Sequence, residues 1–193
     1  YAPYGQEAEP VIFHSYIEVY LYKLVKIFNP GASLVSVVFY LPVLIAALAV
    51  IPAFFITRKI IGNFGGFISA LFVAIHPAFL TRTTAGFSDT DGYNILFPLL
   101  ITWIFIEAIS GKDWRRNAVL GSLAGFFMAV FSYTWIGWWY IFYFLLCSSV
   151  AYFLIFLKKK LFHKSDLWGI LKSSKTKTLG ITFAAFFIST AIF

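Results

Sequence analysis

The feature that most constrains this chain is an uncharged, mostly apolar stretch of 40 residues, 118–157. As one helix it would be about 60 Å long, which is twice the roughly 30 Å thickness of a bilayer's apolar core. We therefore interpret the stretch as a helical hairpin. Its turn is predicted at Trp135–Trp139, because Gly137 permits a turn and the neighbouring indoles suit a membrane interface.

The composition extends this conclusion to the whole chain. Of the 193 residues, 61% are hydrophobic and 12% are charged, and the mean hydropathy is +0.85, whereas soluble domains have about 45–50% apolar and about 25% charged residues. So few charged side chains cannot cover a soluble surface. The fold class predicted is all-α, a multi-span helical membrane protein.

Apolar runs of about 20 residues mark the membrane spans. They predict a transmembrane domain over 34–193, with spans near 34–57, 60–80, 94–110, 118–134, 138–157 and 179–193. Residues 1–33 are predicted to be an external segment whose stretch Val11–Phe28 forms an interfacial amphipathic helix. Five complete spans and this helix are expected to make about six helices, with the last span, 179–193, expected to be truncated.

The basic residues are distributed unevenly between alternate loops. Twelve of the 15 lie in three segments, at 58–59, 112–116 and 158–177, while the opposite side carries only Lys23, Lys26 and Arg82. Cytoplasmic loops are enriched in basic residues. We therefore predict a multi-pass protein of the cell membrane with loop 81–93 on the external face. The lysine-rich stretch is expected to contact anionic membrane lipids, and this clustered pattern excludes nucleic acid as a partner.

The external loop contains two carboxylates, Asp89 and Asp91, near glycines. Side chains at i and i+2 point to the same side of an extended backbone, and paired carboxylates suit Mg²⁺ or Mn²⁺. Arg82 is the one basic residue of the loop, and a guanidinium beside a metal suits a phosphate-bearing substrate. An alternative remains open, because Ser88-x-x-Asp91 has the pattern of a helix capping box. Both roles can coexist, since one carboxylate can cap while the other binds.

At this loop the sequence resembles a known family. Residues 81–91 read TRTTAGFSDTD, which resembles the second acidic motif of the catalytic subunit of oligosaccharyltransferases, the archaeal form especially. In that family an arginine precedes the acidic pair by the same spacing. The following span, a basic inner loop and a hairpin carrying Thr134–Gly137 occur in the same order. The resemblance runs from about Pro10 to Phe193 and is strongest over His76–Pro98.

The resemblance implies part of a glycosyltransferase C-type membrane domain. Its enzyme would transfer an oligosaccharide en bloc from a polyprenyl (dolichyl) phosphate carrier to Asn in Asn-x-Ser/Thr, so a lipid-linked oligosaccharide and an acceptor polypeptide are the implied partners. Arg82, Asp89 and Asp91 match the family's catalytic residues, with the two acids as ligands of Mg²⁺ or Mn²⁺ and Arg82 at the substrate. The family's first acidic motif, a downstream acid and its soluble C-terminal domain have no counterpart in residues 1–193. We expect this fragment alone to be inactive.

Two other functions are considered. Another multi-span glycosyltransferase that uses a lipid-phosphate sugar donor would also need an external acidic pair. A segment of a transporter would need ionisable groups near the middle of the bilayer. The one candidate for such a group is Glu107, which lies five residues before Lys112 and is predicted to reach the inner interface instead.

Overall fold

The computed structural model describes residues 12–162 and 174–192. No strand occurs in these two ranges, and this confirms the all-α prediction. A 3₁₀ turn at Thr90–Gly92 precedes the fourth helix. The helices are α1 (Ile12–Phe28), α2 (Leu34–Ile75), α3 (Pro77–Arg82), α4 (Tyr93–Ser110), α5 (Trp114–Ser132), α6 (Trp139–Phe162) and α7 (Ser174–Ile192).

Two stretches of the described chain are long and apolar enough to cross a membrane. They are Leu34–Ile75 and Thr90–Ser110. Shorter apolar helical stretches follow at Trp139–Ile155 and Thr176–Ile192. The break between α5 and α6 occupies residues 133–138 and overlaps the turn predicted at Trp135–Trp139.

The helix α2 reverses direction at Gly62. This residue has φ 84° and ψ −175°, a conformation that only glycine adopts without strain. A Cβ atom on Gly66 would lie 2.9 Å from the carbonyl oxygen of Phe54, so the segment after Gly62 packs back against the segment before it. The first span was predicted to end at Thr57, but the helix continues past that residue to the turn at Gly62.

Two glycines on α5 bring this helix close to α7. A Cβ on Gly121 would lie 2.8 Å from the carbonyl oxygen of Thr182, and one on Gly125 would overlap the carbonyl oxygen of Phe186. The hydroxyl of Ser189 donates to the carbonyl oxygen of Ser122 at 2.8 Å. Small residues spaced four apart allow membrane helices to approach in this way, so the α5–α7 contact depends on backbone proximity.

The helix α4 lies at the centre of the fold and packs on α2 and α5. Its fully buried Ile101 and Ala108 mark the side that faces its neighbours. The helix α6 joins the core through large side chains, among which Phe142 stacks on Phe186 with ring centroids 6.3 Å apart. The buried apolar cluster consists of Leu41, Ile45, Tyr93, Phe97, Ile101, Ile104, Phe105, Ala124, Met128, Phe131, Ile141, Leu145 and Phe186.

Glu107 connects three helices near the end of α4. Its carboxylate lies 2.8 Å from Lys59 Nζ on α2 and 3.3 Å from Arg116 Nη2 on α5. Since α4 rises 1.5 Å per residue, Glu107 is about 20 Å from the start of that helix at Tyr93. Two of the three basic segments therefore meet at one end of the bundle, opposite the acidic loop.

Candidate functional site

The loop that carries the acidic pair connects α3 to the 3₁₀ turn and is fixed against α2. The backbone N–H of Gly86 donates to the carbonyl oxygen of Phe39 at 2.8 Å. Gly86 has φ 90°, and a Cβ there would lie 2.9 Å from the ring of Phe39. At the start of the loop, the buried hydroxyl of Thr83 donates to the carbonyl oxygen of Phe79 at 2.8 Å. The loop therefore has a defined conformation.

Arg82 and Asp91 are brought together by this conformation. Nη1 of Arg82 lies 3.2 Å from Oδ2 of Asp91, and the guanidinium also lies over the ring of Phe87, 5.7 Å from its centroid. The side chain of Arg82 keeps 60% of its surface exposed. The guanidinium is thus oriented by two contacts within the loop and still has donors available to a ligand.

Asp89 caps the 3₁₀ turn. Its Oδ1 accepts a hydrogen bond from the backbone N–H of Thr90 at 2.6 Å, and the residue is exposed. A carboxylate of this loop therefore does cap a helical turn, but the residue that caps it is Asp89. The predicted capping box Ser88-x-x-Asp91 does not form. The hydroxyl of Ser88 donates instead to Glu18, and the carboxylate of Asp91 pairs with Arg82.

A polar cluster links α1 to this loop, and the sequence analysis did not predict it. Nδ1 of His14 is 3.1 Å from the hydroxyl oxygen of Tyr93, and Nε2 of His14 is 3.1 Å from the hydroxyl oxygen of Ser88. Ser88 Oγ donates to Glu18 Oε1 at 2.8 Å, and Glu18 Oε1 is also 3.1 Å from His14 Nε2. A signal was available, because His14 and Glu18 are spaced i, i+4 on a largely apolar helix.

The donors and acceptors of the cluster agree with one direction of hydrogen bonding. The carboxylate of Glu18 can only accept, so the proton of the Ser88 hydroxyl goes to it. His14 then donates through Nε2 and accepts the proton of the Tyr93 hydroxyl at Nδ1, a tautomer assigned from the network. Each donor of the cluster has an acceptor in this arrangement.

The donor set of the loop suits a hard divalent cation as part of its coordination shell. Hydrogen bonds and ion pairs between described residues use Oδ1 of Asp89 and Oδ2 of Asp91, which leaves the second oxygen of each carboxylate for a ligand. Mg²⁺ and Mn²⁺ prefer oxygen ligands. Within the described ranges, no group of three acidic, histidine or cysteine side chains could hold a metal ion. The remaining ligands would have to come from elsewhere.

An apolar recess of about 370 Å³ lies beside the start of α4. Its polar lining includes His76, Asn94 and Tyr140, and the hydroxyl of Tyr140 donates to the carbonyl oxygen of Asn94 at 3.3 Å. Among the described residues, no hydrogen-bond partner reaches the buried Oδ1 of Asn94. The recess therefore lies near the loop that carries the acids, with Asn94 in its otherwise largely apolar lining.

The fold and the loop define a helical membrane domain that presents an arginine and two carboxylates at one end of its bundle. The family described as "Oligosaccharyl transferase STT3, N-terminal" matches residues 1–193. The chain belongs to this family, and the match confirms the resemblance that the loop carries.

Named relatives occur in archaea and bacteria. The dolichyl-phosphooligosaccharide-protein glycotransferase of Methanococcus voltae is 30% identical over 155 residues, 79% of this chain and 17% of the relative. The protein of the same name from Methanocaldococcus jannaschii is 30% identical over 82 residues, 42% of this chain and 9% of the relative. The undecaprenyl-diphosphooligosaccharide–protein glycotransferase of Campylobacter jejuni is 26% identical over 126 residues, 65% of this chain and 16% of the relative. The chain thus aligns with less than a fifth of each of these proteins.

Proposed function

We propose that this chain is the N-terminal membrane part of an enzyme that transfers an oligosaccharide en bloc from a polyprenyl phosphate carrier to protein. The acceptor proposed is Asn in Asn-x-Ser/Thr. The observation that carries the proposal is the Arg82–Asp91 ion pair beside Asp89, in a loop fixed against α2. Family membership supports it, and so do the names of the relatives, which are dolichyl-phosphooligosaccharide- and undecaprenyl-diphosphooligosaccharide–protein glycotransferases.

Asp89 and Asp91 are proposed as ligands of Mg²⁺ or Mn²⁺. When bound, such an ion supplies Lewis acidity that stabilises the negative charge of a departing phosphate. Arg82 orients Asp91 through its ion pair and presents its remaining N–H groups to an anionic substrate. A planar guanidinium suits this task, because its donors match a phosphate or carboxylate in pairs.

We further propose that the domain is multi-pass, with the acidic loop on the external face. The contact of Glu107 with Lys59 and Arg116 gathers basic segments at the opposite end of the bundle. Basic residues favour the cytoplasmic side, so the loop is assigned to the other side. The apolar recess near Asn94 is compatible with a substrate that carries a lipid chain.

The proposal is tested with the full-length protein that contains this chain. The purified protein is incubated with Mn²⁺, a lipid-linked oligosaccharide and a fluorescent peptide containing Asn-x-Thr, and the glycopeptide is detected by its mobility on a gel. Transfer to this peptide, and none to a peptide with Gln in place of the Asn, is the expected result. Transfer to a sugar or lipid acceptor but not to the peptide would support the alternative lipid-dependent glycosyltransferase and overturn the proposal.

A further inference from the structure

We infer that α1 is a positioning element of the acidic site, and that His14 and Glu18 are its positioning residues. Through Ser88 and Tyr93 they fix the segment 89–92, which contains both acids, and so set how strongly the loop binds a divalent cation. The inference rests on the proposed metal-binding role of Asp89 and Asp91. It assigns a function to a helix whose residue Glu18 lies 70 residues before Ser88 in the sequence.

The two anchor points, Ser88 and Tyr93, flank the acidic segment. Ser88 directly precedes the acidic segment and Tyr93 directly follows it. One imidazole, that of His14, contacts both of them at 3.1 Å. His14 therefore bridges the two ends of segment 89–92 and restricts how far they can separate.

The polar cluster is largely buried. The side chains of His14 and Glu18 are only 12% and 21% exposed, and Tyr93 is 2% exposed. Water competes weakly with hydrogen bonds in such a setting, and polar groups there are costly when they lack partners. The cluster therefore strongly favours a single arrangement of the loop.

The helix α1 is itself packed against the rest of the fold. Phe13, Ile17 and Leu21 pack against the buried apolar cluster. These residues lie next to His14 and Glu18 along the helix, so the polar pair is presented from a packed support. A movement of the loop would have to break hydrogen bonds to a fixed partner.

Removing the anchors should weaken cation binding without removing a ligand. Groups that orient metal ligands typically change metal affinity by about 10- to 100-fold when mutated. We expect His14→Phe and Glu18→Leu to raise the apparent Kd for Mn²⁺ by roughly this factor. The maximal transfer rate at saturating Mn²⁺ should remain close to that of the unaltered protein, because Asp89, Asp91 and Arg82 are still present.

The experiment uses the full-length protein and measures Mn²⁺ binding from the electron paramagnetic resonance signal of free Mn²⁺. Transfer rate against Mn²⁺ concentration is measured in parallel, and thermal melting monitors folding. Glu18→Gln is the conservative variant, because an amide oxygen can still accept the hydrogen bond from Ser88. The Kd of this variant for Mn²⁺ should stay within about twofold of that of the unaltered protein, since amide and carboxylate oxygens both accept. Tyr22→Phe is the matched control. It removes a hydrogen bond within α1, the one that Lys26 donates to the Tyr22 hydroxyl, and this bond does not involve the loop.

Unchanged Mn²⁺ affinity in both His14→Phe and Glu18→Leu would overturn the inference, as would a lower maximal rate with unchanged affinity. If Glu18→Leu does not fold, Ser88→Ala removes the same hydrogen bond at its other end and takes its place in the comparison. Asp89→Ala separates the two proposals. If it leaves Mn²⁺ binding intact, the proposed metal site is wrong. If it abolishes binding while the α1 variants bind normally, only the positioning role is wrong.

Discussion

Arg82 and Asp91 form an ion pair of 3.2 Å between Nη1 and Oδ2, although they belong to different elements. Arg82 is the last residue of α3, and Asp91 lies in the 3₁₀ turn that leads into α4. The pair closes the intervening loop and places a guanidinium next to the carboxylate of Asp91, two residues after Asp89. The proposed chemistry depends on this arrangement and on the fold that supports it.

Arg82→Ala should lower the rate of glycan transfer by about ten- to a hundredfold for each charge-assisted hydrogen bond to substrate that is lost. The reason is that each such hydrogen bond contributes roughly 1.5–3 kcal/mol. Arg82→Lys should be impaired to a smaller degree, because a point charge does not reproduce planar donation. Folding should change little, since so exposed an ion pair contributes only about 0.2–1 kcal/mol. The transfer assay and a melting curve measure the two effects.

Lys23→Ala is the control for Arg82, because it removes one basic residue from α1 outside the loop, where Lys23 lies over the ring of Tyr20. Its transfer rate should match that of the unaltered protein. A transfer rate close to normal in Arg82→Ala would contradict this prediction and would mean that Arg82 does not bind the substrate.

The sidedness of the bundle is open to cysteine labelling in a Cys147→Ser background. Thr84→Cys in the loop should react with a membrane-impermeant maleimide added to intact cells, whereas Arg115→Cys should react only after lysis. Both positions are exposed, and neither side chain belongs to the cluster around His14. Labelling of position 115 but not of position 84 from outside would reverse the proposed orientation.

The contact between α5 and α7 predicts a large difference between two identical substitutions. Gly125→Leu should destabilise the domain by about 1–3 kcal/mol or more, because the added side chain meets the backbone of α7 and overpacking is costly. Gly180→Leu should be neutral or slightly stabilising, since a Cβ there meets nothing within 4 Å and leucine favours helices over glycine. Melting temperatures in detergent check this, and equal losses in both variants would contradict the described packing.

The sequence predicted the helical class and the break between α5 and α6, because each depends on local patterns of apolar or glycine residues. The sequence also singled out Arg82 and Asp91, which form an ion pair in the structure, while the catalytic roles of these two residues and of Asp89 stay predictions. It placed the first turn by the charges of Arg58 and Lys59, which are typical of a membrane boundary. The structure turns at Gly62 instead. The reason is conformational. The backbone at Gly62 has a positive φ, which favours glycine, whereas arginine and lysine are readily accommodated within a helix and do not by themselves end it.

The link between α1 and the loop could not be predicted by the same means. Ser88 and Asp91 have the spacing of a capping box, in which the serine hydroxyl oxygen would accept a hydrogen bond from the backbone N–H of Asp91. In the structure the Ser88 side chain contacts α1 instead, where its hydroxyl donates to Glu18 across 70 residues of sequence. Such a partner is decided by tertiary packing. The spacing of His14 and Glu18 marks one polar face of α1 and does not identify what that face contacts.

The most direct test of the account is glycan transfer by Asp89→Ala and Asp91→Ala in the full-length protein, measured with Mn²⁺ alongside thermal melting. The account predicts that Asp89→Ala loses orders of magnitude in transfer rate with little loss of folded protein, and that Asp91→Ala loses somewhat less. If both variants instead keep their turnover and lose only about 1 kcal/mol of stability, as expected for a lost helix cap, the acids are structural and the proposed site is wrong.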